Sequence, residues 1–272
     1  MERIESIQSV ADHYDVIVFD QFGVLHDGTA PYPHALAAVA GLKGAACSLA
    51  VLSNSGKSAD LNHRRITDMG FAPDAFDAVM TSGEALRIDM AQGALRAINS
   101  IYAIEAAKGD AQTWAGDQTV DFTVDPAAAD AILLMGLADG DSHIAERAVL
   151  KAARKADKLL ICSNPDRAAP RAYGRLVESP GALAHEYADA GGRVLFYGKP
   201  HLPIFEALHA QLHHPEPHRI LMVGDSPEHD IAGARTAGWD SLFISGGLHS
   251  DSDPTTLFAP NALPTYTQQT LR

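Results

Sequence analysis

Short apolar runs punctuate the chain, and each closes on a small or polar residue. Val16–Phe19, Ser48–Leu52, Ile220–Val223 and Ser241–Ile244 are rich in β-branched or large apolar side chains and end near Asp, Asn, Gly or Ser, which predicts strands. Leu195–Tyr197 predicts another short one. Between them, Pro33–Ala46, Ser58–Met69, Pro203–Leu212 and His229–Ala237 carry helical patterns, the last with Gly238 as its stop signal. Strands alternating with helices predict an α/β fold, a doubly wound parallel sheet covered on both faces.

The middle of the chain reads as a unit of its own. Ser100–Glu105, Val120–Val124, Ala131–Met135 and Lys158–Cys162 predict strands. His143–Ala156 predicts a helix whose basic end suits the helix dipole. The stretch around Leu183 (SPGALAHEYADA) predicts an amphipathic helix. Small residues near Thr81–Gly83 and Gly191–Gly192 suit turns. The expected division is a core from 1–82 and 193–272, with an inserted α/β domain over 83–192.

The 272 residues suffice for a sizeable core, and 46% apolar with 20% charged residues is ordinary for a globular protein. No stretch reaches eighteen apolar residues, so no membrane span is expected. The first residues scatter acids and hold no apolar run, so no secretory signal is expected. Cys47 and Cys162 form neither a disulfide framework nor a zinc motif, and a reducing cytoplasm is the expected setting. A net charge of −13 argues against nucleic acid or an anionic membrane as partner. It leaves room for an anionic small molecule at a locally positive or metal-bearing site.

Three core strands deliver polar groups to their carboxyl ends, where open α/β sheets bind ligands. These are Asp20, then Ser53-Asn54-Ser55, then the run from Gly224 through Asp225 to Asp230. Tyr197-Gly198-Lys199-Pro200 adds a lysine ahead of a helix. Phosphoryl transfer needs a nucleophile, hydrogen-bond donors and cations to neutralise phosphate charge. Asp20 suits a carboxylate nucleophile that passes through an acyl phosphate. Asp225 with Asp20 suits Mg2+, which takes a few carboxylates plus water and phosphate oxygen. Ser53 and nearby amides suit the phosphate, and Lys199 suits neutralisation of both Asp20 and phosphate. Singly, such residues are ordinary caps, turns and surface charges. Four of these groups in order, each after a strand, carry the reading.

The ordered set resembles the haloacid dehalogenase-like hydrolases, specifically their class IIA branch of pyridoxal phosphatase-like and 4-nitrophenyl phosphatase-like proteins. DQFGVLHDG is similar to the first motif, VLSNS to the second, YGKP to the third and VGDSPEHDIAGA to the fourth. SNPD, Ser163 to Asp166, is similar to a recurring feature of the branch's cap. The resemblance implies a Rossmann-like core with the inserted domain as an α/β cap. It implies Asp20 as nucleophile, Mg2+ held by Asp20, Asp225 and the backbone carbonyl of Phe22, and Asp230 supporting that shell. Ser53 and Asn54 would bind phosphate and Lys199 would order the nucleophile. In the cap, Asp166, Arg167 and Arg171 are candidates for substrate contacts. A small phosphorylated metabolite is the implied partner, and cap contacts in the family often make homodimers.

Phe22 departs from the pattern. Phosphatases of the family usually carry a second Asp there, which protonates the leaving oxygen and then activates water. Such acid–base help typically contributes about 10²–10⁴-fold. Its loss predicts a slower enzyme, a preference for good leaving groups, or a longer-lived phosphoenzyme. The metal site is expected to persist, because a backbone carbonyl does not depend on its side chain. His26, on a loop expected to be mobile, is the candidate substitute acid/base, with Asp27, Glu228 and His229 as weaker ones. Two other readings stay open: 2-haloacid dehalogenase-type hydrolysis, whose halide needs no proton, and a non-catalytic binder of a phosphorylated ligand. Gly56-Lys57-Ser58 imitates the end of a P-loop, but Val51 stands where that loop needs glycine. His209, His213, His214 and His218, among prolines and without a Cys partner, read as a surface loop.

Overall fold

The computed structural model describes residues 1–138, 142–170, 176–247 and 256–272. Its strands, in chain order, are β1 (Glu2–Arg3), β2 (Val16–Phe19), β3 (Ser48–Ser53), β4 (Ala78–Thr81), β5 (Ile101–Ile104), β6 (Ala131–Leu134), β7 (Leu159–Cys162), β8 (Ala168–Pro170), β9 (Leu176–Glu178), β10 (Val194–Phe196), β11 (Ile220–Gly224), β12 (Asp240–Ile244) and β13 (Tyr266–Gln268). The helices are α1 (Pro33–Leu42), α2 (Ala59–Asp68), α3 (Ser82–Ala91), α4 (Asp110–Ala115), α5 (Ile144–Lys155), α6 (Pro180–Asp189), α7 (Leu202–Gln211) and α8 (Ala232–Ala237). They group into two compact units. Met1–Ser53, Ala59–Met80 and Lys199–Arg272 make the first, and Asn54–Ser58 with Thr81–Gly198 make the second.

The first unit holds a seven-stranded sheet in the order β1-β13-β12-β11-β2-β3-β4. β2 pairs in parallel with β3 on one side and with β11 on the other. The strand order therefore reverses at β2, which opens a crevice beyond its carboxyl end. Strands covered on both faces need apolar side chains at every position. All four residues of β2 and all five of β11 are accordingly buried. Phe19 stands edge-on to Phe76, which packs in turn against Phe71. Helices end where glycine permits a left-handed turn: Gly70 (φ 103°) after α2 and Gly238 (φ 77°) after α8, the second as expected from sequence.

The second unit holds a parallel sheet in the order β10-β7-β6-β5 and an antiparallel β8–β9 hairpin. Ile132, Leu134, Leu160 and Cys162 form its core with Leu183, Ala184 and Tyr187 of α6, the amphipathic helix expected there. The Tyr187 hydroxyl donates to the Lys158 carbonyl (2.7 Å). Arg154 and Lys155 occupy the last turn of α5, where cations suit the helix dipole.

Three expected elements differ from the structure. Val120–Val124 is not a strand; Phe122 makes one bridge to Ile101, and Val124 is exposed. The Asp125 side chain accepts the Ala127 amide just beyond, so turn chemistry at Asp125-Pro126 outweighs the β-branched run. The helix expected over Pro33–Ala46 stops at Leu42, ahead of Gly44. The one expected over His229–Ala237 begins earlier, as a π-helical turn over Pro227–Ile231 that leads into α8.

Close packing of α8 on α7 depends on Gly233. A Cβ there would run into the ring of Phe205, which is buried and backed by Trp239 (centroids 5.1 Å apart). Gly233→Ala is expected to cost about 1–3 kcal/mol of stability by overpacking, read from the urea midpoint.

Candidate active site

Asp20 follows β2 directly, and its amide donates to the Val223 carbonyl (2.9 Å), holding it beside β11. The Lys199 ammonium donates to Asp20 Oδ1 (2.6 Å) and to Asp230 Oδ1 (2.7 Å). Asp230 Oδ2 accepts the Ser226 amide (3.0 Å) across the π-helical turn. That turn lies on Gly224, where a Cβ would overlap Asp230. Lys199 and Asp230 are fully enclosed, while the Asp20 side chain keeps 15% of its surface open. Burial alone would lower the Lys199 pKa; the two carboxylates outweigh it, and the net shift is upward, so Lys199 stays a cation. Burial pushes Asp20 up to about 7, with Lys199 pulling down and Asp230 pushing up.

Asp20, Asp225 and Asp230 each bring a carboxylate oxygen within 4.8 Å of the others. Two glycines shape the space around Asp225. At Gly23 (φ 83°) and at Gly247 a Cβ would run into the Asp225 carboxylate. The Phe22–Gly23 peptide therefore passes directly alongside it. Three carboxylates, two of them enclosed, against one ammonium leave an excess of negative charge, which is costly without a further cation. An all-oxygen, mostly carboxylate donor set is that of a hard divalent cation such as Mg2+. The residues fit such an ion.

Phe22 is half-buried, edge-on to the imidazole of His26 (6.3 Å, 83°). The loop position of His26 suggested mobility and solvent; the structure instead leaves it 1% exposed. Its Nδ1 accepts the Gly28 amide (3.0 Å), and its Nε2 is enclosed. Burial and the nearby Arg65 charge push its pKa down to about 4, so the ring is neutral. Asp27 is exposed, and its Oδ1 accepts the amides of Thr29 and Ala30 (2.8 Å each). Sequence reasoning missed Tyr32, at the start of α1. Its phenol is pushed up by burial and then by the Asp225 and Asp27 charges, which places it in their field. It also missed Gly247, whose signal is the small-residue run Ser245-Gly246-Gly247 after a core strand.

Ser53 ends β3 and is buried in the first unit. Within the second unit, the Asn54 side-chain amide donates to Asp166 Oδ1 (2.7 Å), and the Asp166 amide donates to Asn164 Oδ1 (3.1 Å). The second and cap motifs thus meet through a side-chain pair that their spacing in sequence does not announce. Arg167 is exposed, and its carbonyl accepts the Ser179 amide (3.1 Å). Arg171 lies outside the described residues. His209 Nε2 bonds the Pro215 carbonyl (2.8 Å) and its Nδ1 meets His214, so these histidines tie up their own loop.

The chain is similar to known proteins along most of its length. A family model described as haloacid dehalogenase-like hydrolase matches residues 17–112, and a related hydrolase-like model of that family matches residues 196–272. The chain is 26% identical to a D-glycerol 3-phosphate phosphatase of Mycobacterium tuberculosis, over 98% of this chain and 72% of that protein. It is 26% identical to a glycerol-3-phosphate phosphatase of Gallus gallus, over 92% of this chain and 88% of that protein. A hydrolase of the haloacid dehalogenase-like family from Brucella suis 1330 superposes with a TM-score of 0.83 at 29% identity, covering 99% of this chain and 100% of its own.

Two outcomes test the cation site. Asp20's raised pKa means that the metal-free folded chain keeps a proton that the unfolded chain loses near 3.8. Its stabilising contribution is full below that pH and lost as pH rises through about 7. A cation that binds ionised Asp20 reverses this, so Mg2+ is expected to raise the melting temperature more at about pH 8 than at about pH 5. Gly247→Ala is expected to weaken Mg2+ binding by about 10–100-fold, measured by calorimetry, with melting in EDTA reporting the fold separately.

Proposed function

Given that the chain belongs to the haloacid dehalogenase-like hydrolases, we propose that it is a phosphatase that cleaves a small phosphomonoester through phosphorylated Asp20. The observation that carries this reading is the meeting of Asp20, Lys199, Asp225 and Asp230 at the switch point of the sheet. Mg2+ would be held by Asp20, Asp225 and the Phe22 carbonyl, with Asp230 supporting. When bound, it supplies charge neutralisation and polarisation of the phosphoryl oxygens.

The chain's own groups divide the remaining work. Lys199 fixes one Asp20 oxygen, leaving the other to attack phosphorus. Its retained charge favours the ionised nucleophile and the incoming phosphate. Ser53, at the end of the neighbouring strand β3, donates to phosphate, with Asn54 next to it. In the second unit, Asp166 and Arg167 are the candidate specificity residues, and Asn54 steadies Asp166. A cytoplasmic enzyme that pairs through its caps completes the proposal. Among the described residues no helix is long and apolar enough to cross a membrane.

Hydrolysis of 4-nitrophenyl phosphate with Mg2+ is the direct assay. Asp20→Asn is expected to reduce the rate to background. Phe22→Asp is expected to raise it by about 10²-fold, the low end for acid–base help because nitrophenolate leaves easily. Inactivity of both the native chain and Phe22→Asp would sink the phosphatase reading and favour a binding role.

A further inference from the structure

We infer that the phosphate removed at this site is carried on an acidic oxygen, that of a phenol, enol or carboxylic acid, and not on an aliphatic alcohol. The inference rests on the phosphatase reading above. It narrows the substrate to a class different from the glycerol phosphates for which two relatives are named.

The argument is the supply of protons around Asp20 among the described residues of the first unit. Phe22 has none to give, and its ring is wedged in place. His26 stands against it edge-on (6.3 Å), and a Cβ on Gly28 would lie only 3.2 Å from ring carbon Cε2. Arg65 donates to the Gly28 carbonyl (2.9 Å) and fastens that loop to α2. His26 is sealed, one nitrogen accepting the Gly28 amide and the other enclosed. Lys199 directs hydrogens at Asp20 and Asp230. Asp27 faces solvent, with one oxygen accepting two amides. Tyr32 is a phenol, and phenols hold their proton to about pH 10, a poor match for general acid catalysis near neutrality. Among the described residues of this unit, the side chain two positions after Asp20 is a half-buried aromatic ring with no proton to give, edge-on to His26.

The chemistry balances without an acid. An Asp20 oxygen bonds to phosphorus as the bond from phosphorus to the leaving oxygen breaks, and the electron pair departs on that oxygen. A phenolate, enolate or carboxylate is stable as it leaves and needs no proton in the step. An alkoxide would forgo acid assistance typically contributing about 10²–10⁴-fold. Water then attacks phosphorus, the Asp20 carboxylate recovers its electron pair, and the water proton passes to the phosphate released.

The test is kcat/KM of the native chain with Mg2+ on phenyl phosphates of graded leaving-group acidity, on acetyl phosphate and on glycerol 3-phosphate. Log kcat/KM is expected to fall steeply as the leaving group becomes less acidic. Glycerol 3-phosphate is expected to trail 4-nitrophenyl phosphate by about 10²–10⁴-fold or more. The phenyl and acetyl arms distinguish the carrier. Phe22→Asp is expected to flatten the slope, and Phe22→Leu to keep it. A flat series in the native chain, or glycerol 3-phosphate turned over as well as the nitrophenyl ester, overturns the inference and leaves the phosphatase reading standing. Hydrolysis of none of these compounds by the native chain or Phe22→Asp overturns both.

Discussion

Lys199 is a cation with almost no contact with solvent, and it is held by two carboxylates from distant parts of the chain. Enclosing an ammonium is tolerable only where its hydrogens and charge are met. Asp20 at the tip of β2 and Asp230 in the turn after β11 meet them, which ties the two central strands together at their carboxyl ends. The arrangement does not balance. Asp225 adds a third carboxylate within 4.8 Å. The remaining negative charge is the physical demand that a divalent cation answers, and the same field keeps Lys199 protonated and aimed.

Around this charge the backbone acts by leaving space. Gly23, Gly224 and Gly247 approach the carboxylates so closely that no side chain fits at any of them. Asp225 is placed by main chain passing on two sides, and Asp230 by main chain beneath it. The glycines make the room, and Asp230 is held in it by Lys199 and the Ser226 amide. Phe22 sits within this frame with its ring edge-on to His26 of the adjoining loop.

The central strands were legible because burial on both faces forces uninterrupted apolar runs, as in VIVF and ILMV. Asp20 and Asp225 were legible because each closely follows such a run. Strands β1 and β13 were not, because ER and YTQ lie at or next to the sheet edge and carry no core signal. Val120–Val124 misled because β-branched composition speaks for packing that the flanking Asp125 turn prevents. The sealing of His26 was illegible for a different reason. Polar loop residues suggest solvent, yet the imidazole is buried and accepts the amide of Gly28 two residues on. The Asn54–Asp166 pair spans 112 positions, beyond any local pattern.

The reversal of strand order at β2 also sets when the site can exist. Asp20 and Lys199 are 179 positions apart, and β2 gains its second neighbour only when β11 arrives. Contacts of such sequence separation form late, since closure of the intervening chain precedes their gain. During synthesis from the N-terminus, VIVF is therefore a strand of wholly apolar side chains with one unpaired backbone edge through the making of the entire second unit. Asp20 waits at the end of that strand. Lys199, Asp225 and β11 all follow the second unit in the chain, so the charged cluster and the second neighbour of β2 are gained in the same closing event.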